Sequence, residues 1–246
     1  MEMEYKYRVP DIDTFRALTD AIFSLGTPER IGMDAEYFDT PDRRLRAASV
    51  TLRLRRETRA MYDARVLSDA HAINDARVKC DARVLSDARS TDGACDADGA
   101  CTETVCCVKL PAPEEDAGIQ AGLRRRLEFE CAADTVEEGV RRLLGQGLPR
   151  EPLENALGEP PELALREGLC VSAVVRYTRL TCTVRGAGGS YTVCLDRGVL
   201  GKEDFMELEI EHGDGDFAVT AEAARAFARK YALEPELRSK YARALV

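Results

Sequence analysis

Acidic and basic side chains recur at every second residue along four separate stretches of this chain, and side chains two apart on a strand share one face of it. Residues 2 to 9 set Glu2, Glu4, Lys6 and Arg8 against Met3, Tyr5, Tyr7 and Val9. Residues 50 to 55 set Arg53 and Arg55 against Val50, Leu52 and Leu54. Residues 123 to 130 set Arg124, Arg126, Glu128 and Glu130 against Leu123, Leu127 and Phe129, and residues 206 to 211 set Glu207, Glu209 and Glu211 against Met206, Leu208 and Ile210. A charged strand face is ordinarily a solvated one, and for a single strand that account suffices. Ordinary exposed faces are diluted with Thr, Ser, Gln and Asn, whereas these are nearly pure Glu and Arg, and like neighbours on one face are costly unless opposite charge lies between them. A sheet closed into a barrel with these faces inward would make a hydrated channel of carboxylates and guanidinium groups.

Composition narrows the partner. The chain has 35 basic residues, of which six are lysines and 29 arginines, against 44 acidic ones. Planar guanidinium forks suit phosphate or carboxylate better than ammonium groups do. A net charge of −9 argues against coating of nucleic acid or of an anionic membrane, which needs a net basic face. A polyanion would therefore be met in a local basic pocket. The start lacks a basic segment followed by an apolar one, and no run of apolar residues is long enough to span a bilayer, so a cytoplasmic protein is expected. Nine cysteines without paired C-x-x-C spacing read as reduced thiols, those at Cys131, Cys182 and Cys194 as small hydrophobes within strands. His71 and His212 read as surface residues.

The elements that would position these side chains are those of an α+β protein. Further strands are expected at 33 to 39, 104 to 110, 171 to 184 and 190 to 196, making eight. A helix capped by Asp11 or Asp13 carries Phe15, Leu18, Ile22 and Leu25 at helical spacing and stops at Gly26. A second begins at an Asp134/Glu137 capping box, and a third runs from about Thr220 to Tyr231 before a short tail, Leu237 to Leu245. Prolines and glycines from 149 to 161 read as a connector. From Asp63 a six-residue repeat (DARVLS, DAHAIN, DARVKC, DARVLS) decays towards Cys101, and residues 58 to 102 read as a low-complexity insertion in a hairpin loop of an otherwise single domain, 1 to 246.

The order of these segments resembles the triphosphate tunnel metalloenzymes, the CYTH superfamily. The opening Glu2-Met3-Glu4-Tyr5-Lys6 has that family's E-x-E-x-K pattern; Tyr37-Phe38-Asp39-Thr40-Pro41, Leu52-Arg53-Leu54-Arg55, Arg126-Leu127-Glu128-Phe129-Glu130, Asp196-Arg197-Gly198, Glu207-Leu208-Glu209-Ile210-Glu211 and Ser239-Lys240-Tyr241 follow in the family's sequence. The resemblance implies a closed eight-stranded antiparallel β-barrel, a tunnel with a charged interior and helices packed outside. Carried over by position, Glu2, Glu4, Glu209 and Glu211 would hold Mg²⁺ or Mn²⁺, a hard-oxygen set suited to those ions. Lys6, Arg53, Arg55, Lys109, Arg126, Arg176, Arg179 and Lys240 would grip phosphates, and Glu128, Asp196 and Glu207 would orient the cations or tune the water. Arg176 and Arg179, three apart, cannot share a face of a regular strand, and Arg179 is favoured for the interior.

The activity this implies is metal-dependent hydrolysis of a linear triphosphate, inorganic tripolyphosphate being favoured, with a second cation placing the attacking water. A class IV adenylyl cyclase, a thiamine or nucleoside triphosphatase, and a non-catalytic polyphosphate or nucleotide sensor are the alternatives. A sensor would tolerate loss of the metal glutamates, and all of them are present.

Overall fold

The computed structural model describes residues 1–60, 100–112, 123–200 and 203–245. The hexapeptide repeat, and with it most of the expected insertion, lies outside the described residues.

The elements are β1 (Glu2–Arg8), α1 (Ile12–Leu25), β2 (Glu29–Asp39), α2 (Arg44–Ala47), β3 (Thr51–Ala60), β4 (Ala100–Pro111) and β5 (Leu123–Ala132). There follow α3 (Val136–Gly145), α4 (Arg150–Leu157), α5 (Pro161–Glu167), β6 (Cys170–Gly186), β7 (Gly189–Leu200), β8 (Glu203–Gly215), α6 (Phe217–Tyr231), β9 (Glu234–Pro235) and α7 (Lys240–Ala244). Eight strands form a closed antiparallel barrel in the order β1-β8-β7-β6-β2-β3-β4-β5, and β5 returns to β1 through the pairs Glu2↔Arg126 and Glu4↔Arg124. The short β9 lies outside the barrel against Tyr7 and Arg8. No helix among the described residues is long and apolar enough to cross a membrane.

Local chemistry sets the helix starts. Asp11 caps α1, its Oδ1 accepting from the Thr14 amide at 2.7 Å. For α3 the capping box falls one residue later than expected: Thr135 Oγ1 accepts from the Glu138 amide, and Glu138 Oε2 accepts from the Asp134 amide, both at 3.2 Å. Asp216 starts α6 ahead of the expected Thr220, accepting from the Ala218 amide at 2.8 Å. The expected connector at 149 to 161 is instead the helix pair α4 and α5, with Pro149 at one N-cap and Pro161 inside the first turn of the other. Proline there gives up no helical hydrogen bond, so it marks helix starts rather than a linker.

Two apolar layers cover the barrel. α1 and α6 bury Phe15, Leu18, Ile22, Ala221 and Ala224 on Tyr5, Tyr7, Val193, Leu195, Leu208 and Ile210. The helices α3 and α4 bury Val136, Val140, Leu143 and Leu153 on Leu52, Cys106, Val108 and Leu110. A third cluster lies inside the barrel: Ile31, Met33, Ala35 and Tyr37 share the inward face of β2 and pack with Val175, Tyr177, Leu200, Phe205 and the α7 residue Tyr241. The lumen is thus charged in one part and apolar in another, and α7 fills the apolar part.

One glycine controls how closely β6 and β7 approach there. Gly198 faces Tyr177, and a Cβ on it would sit 2.1 Å from the Arg176 carbonyl oxygen and 2.4 Å from Tyr177 Cβ. Gly198→Ala must push strand backbone aside, and a cost of about 1–3 kcal/mol is expected from overpacking of this kind. Urea unfolding of the variant measures it; an unchanged midpoint would contradict the contact.

Candidate active site

Alternation along the strands brings the charged faces into one lumen cavity of about 170 Å³. Glu2, Glu4 and Lys6 reach it from β1, Arg53 and Arg55 from β3, Lys109 from β4, Arg126 and Glu128 from β5, Arg179 from β6, Glu209 and Glu211 from β8, and Lys240 from α7. Asp196 and Glu207 lie beneath the lining with no exposure to solvent. Arg176 is a correction. Its side chain is 58% exposed and meets Asp34 at 3.3 Å on the outside of the barrel, because β6 alternates regularly from Arg176 to Arg179 opposite β7. Arg124, Glu130, Thr51, Tyr37, Tyr177 and Tyr241 also line the cavity without having been given a role from sequence. Arg124, Glu130 and Thr51 share the parity of Arg126 and Arg53, so the period-2 pattern already held them; Tyr37 and Tyr177 sit where apolar strand faces turn inward, and Tyr241 joins them from α7. Cys194, read as a strand hydrophobe, is buried on the lumen side, with its thiol 3.7 Å from Glu211 Oε1. Cys107 likewise reaches Glu128 Oε1 at 3.2 Å, and burial pushes its thiol up to about 12, which keeps it protonated.

Cations and carboxylates are not evenly mixed in the cavity. On one wall Arg53 lies 3.5 Å from Glu130, and Arg55 lies 2.5 Å from Glu57 and 3.3 Å from Glu130, yet the Nε of each is buried with no hydrogen-bond partner. Arg126 donates to Thr51 Oγ1 at 3.3 Å and forms no ion pair among the described residues. Burial first, and then repulsion from Arg124, lowers its affinity for its proton. Positive charge is under-compensated at Arg126, and the unpartnered Nε atoms of Arg53 and Arg55 add free donors beside it, the condition in which an anion binds. Lys109 stays charged although burial opposes it, because Glu2 and Glu128 lie 2.6 and 2.9 Å away.

The adjoining wall, on β1 and β8, has the reverse imbalance. Oxygens of Glu4, Glu209 and Glu211 lie within 4.8 Å of one another. Arg179 binds Glu209 directly and reaches Glu211 at 3.2 Å, while Lys6 is 2.6 Å from Glu209 and 3.6 Å from Glu4. These cations do not suffice: burial, and then repulsion from Glu209, Glu4 and Glu2, raises Glu211 to about 7 against the pull of Arg179. Three hard carboxylates with a charge deficit of this sign fit Mg²⁺ or Mn²⁺. Glu2, expected in the same set, is outside this group and is engaged by Lys109.

The sign of the resulting pH dependence follows. Glu211 is neutral in the folded protein below about 7 and titrates near 4.5 when unfolded, so without metal its contribution to stability is full below 4.5 and is lost as pH rises through 7. A cation bound by the carboxylate removes that penalty and must displace a proton at lower pH. Mg²⁺ should therefore raise the melting temperature more at pH 8 than at pH 5.5, and Glu211→Gln should flatten the difference; scanning calorimetry with and without Mg²⁺ at both pH values tests this.

Residues 1–68 match the family model of the CYTH domain. No curated protein sequence matches the chain. Among solved structures, HpAC1 of Hippeastrum, described as an adenylyl cyclase candidate with a dominant triphosphatase activity, is 17% identical with a TM-score of 0.60, over 98% of this chain and 94% of that one. An adenylate cyclase candidate of Bacillus halodurans is 16% identical with a TM-score of 0.51, over 97% and 94% of the two chains. The PH1819 protein of Pyrococcus horikoshii is 16% identical with a TM-score of 0.50, over 97% and 96%. Its N-terminal strands match the CYTH domain over residues 1–68, and with a barrel that aligns with these structures along nearly the whole length the chain shares their fold.

Proposed function

We propose that the protein hydrolyses the terminal phosphoanhydride of a linear triphosphate with the help of Mg²⁺ or Mn²⁺, inorganic tripolyphosphate being the substrate. The observation that carries this reading is the division of the cavity into an under-neutralised guanidinium wall and an under-neutralised carboxylate wall. A metal–polyphosphate complex carries the two complementary charges in one small ligand. Glu4, Glu209 and Glu211 would hold the cation, which when bound supplies Lewis-acid polarisation of phosphate oxygens and a more acidic water.

The remaining work falls to the chain itself. Arg53, Arg55 and Arg126 meet phosphate oxygens through planar forks and stabilise the charge that builds on the transferred group; no covalent intermediate is required. Glu128, 2.9 Å from Lys109 and 3.7 Å from Arg53, keeps those two cations aimed across the lumen. The buried barrel limits competing water and strengthens each of these interactions. A cyclase must in addition seat an adenine, but Tyr37 and Tyr241 stack on each other with centroids 4.9 Å apart and the Tyr177 ring carries Lys240 at 5.2 Å. These faces are already occupied, which favours the compact inorganic substrate. The triphosphatase activity described for the Hippeastrum structure supports the same reading.

Incubation with tripolyphosphate, ATP and thiamine triphosphate, each with Mg²⁺ and with Mn²⁺, tests it by product. Orthophosphate released fastest from tripolyphosphate is expected; cyclic AMP from ATP, or no turnover of any substrate, would overturn it. Arg53→Ala and Arg55→Ala each remove charge-assisted bonds worth about 1.5–3 kcal/mol, so kcat/KM should fall roughly ten- to a hundredfold. Glu4→Gln should abolish metal-dependent turnover at nearly unchanged volume. Arg176→Ala, outside the barrel, should leave the kinetics of the parent protein.

A further inference from the structure

The carboxylates of β7 and β8 make a second cluster, deeper than the one assigned to the metal. Oxygens of Asp196, Glu207 and Glu209 lie within 4.8 Å of one another, all on buried residues. On donor type alone this cluster is as good a divalent-cation site as Glu4, Glu209 and Glu211. Lys6 and Arg179 touch acids of both clusters, and what distinguishes the deeper one is the further cation that stands in it from α7.

Lys240 Nζ lies 2.9 Å from Asp196, 2.5 Å from Glu207 and 2.7 Å from Glu209. An ammonium group has three N–H donors, and here three carboxylates receive them. The rings of Tyr177 and Phe205 close the remaining sides, at 5.2 and 5.8 Å from the nitrogen. Lys240 itself is 5% exposed. Its position is fixed from outside the cluster, since the hydroxyl of the next residue, Tyr241, donates to Asp39 Oδ2 at 2.9 Å and is 2.9 Å from Ser172 Oγ. Asp39 in turn accepts from the amides of Leu45 and Arg46, so α7 is tied to α2 and β2 and cannot swing away without breaking a buried network.

We infer that Lys240 is a resident cation: its ammonium occupies the deeper carboxylate cluster, excludes divalent metal from it, and confines metal binding to Glu4, Glu209 and Glu211. This rests on the metal reading above but changes two parts of it. Lys240 is a specificity-determining residue for metal number rather than a ligand of the phosphates, because its three donors are spent on carboxylates. A second cation in the deep cluster is replaced by the chain's own charge.

The test is the number of Mn²⁺ ions bound per chain, measured on metal-free protein without substrate by calorimetric titration and by electron paramagnetic resonance of free Mn²⁺. The parent protein should bind one ion, and Lys240→Met, which keeps the length of the side chain and removes its charge, should bind one more than the parent. Equal numbers in the two proteins would overturn the inference. Glu207→Gln keeps Lys240 in place and does not depend on the first variant folding; it should bind the same number of ions as the parent with Kd within threefold, and loss of an ion would overturn the inference by placing the metal in the deep cluster. If neither the parent nor Lys240→Met binds any Mn²⁺, the metal reading of the protein fails with it, whereas one ion in each sinks the resident-cation assignment alone.

Discussion

Ionisable side chains turned inward by a closed sheet cannot be left to water, and the balance of charge inside the wall governs the rest of this structure. Asp196 and Glu207 are wholly buried and Glu209 nearly so. Moving such a group out of water costs several kcal/mol unless an opposite charge is in contact. Lys6, Arg179, Lys240 and Arg243 all converge on these three acids, from β1, β6 and α7. The short terminal helix is therefore an electrostatic component of the barrel as much as a packing one. Where the balance is complete the lumen is a solid ionic core, and where it is incomplete, at Glu211 and Arg126, there is room for something charged to bind.

The apolar outer face follows from the same inversion. A barrel that gives much of its lumen to charge has to bury most of its apolar side chains outside, which is why α1 and α6 cover one flank and α3 and α4 the other. Burial of the large side chains in these layers, at roughly 1.5–3 kcal/mol each, is what keeps the charged interior together. Tyr5 and Tyr7 show the coupling directly: they sit in the outer layer, and the residues between and beside them are Glu4 and Lys6 in the lumen.

Much of this was legible in the sequence because a strand's period of two leaves no freedom about which side chains travel together. Glu2 to Lys6, Arg53 and Arg55, Arg126 and Glu128, and Glu209 and Glu211 each share a strand face by that rule, and closure of the sheet brings those faces to one cavity. Arg176 came in with a family pattern that lists residues by position, and the parity that already favoured Arg179 for the interior is what the strand obeys. The interior apolar cluster on β2 was hidden for a related reason: Ile31, Met33, Ala35 and Tyr37 alternate with polar residues like any half-buried strand, and alternation does not say which side is the lumen. α4 and α5 were hidden by their prolines, which end some helices and begin others. The role of Lys240 depends on contacts between residues far apart in the chain, such as Asp39 with Tyr241, and no local pattern carries those.

The strand order has a consequence for how the protein is made. β1 precedes every other described strand in the chain, yet it lies between β5 and β8, and the last of the cations that meet the acids of β7 and β8 come only with α7. During translation the carboxylates of β8 therefore emerge before Lys240 and Arg243, the α7 cations that pair with them. Long-range pairings of this kind are slow to form because the chain must close a large loop before any contact repays it. The ionic core of the lumen is therefore complete only once the α7 segment has been made and brought back onto β7 and β8.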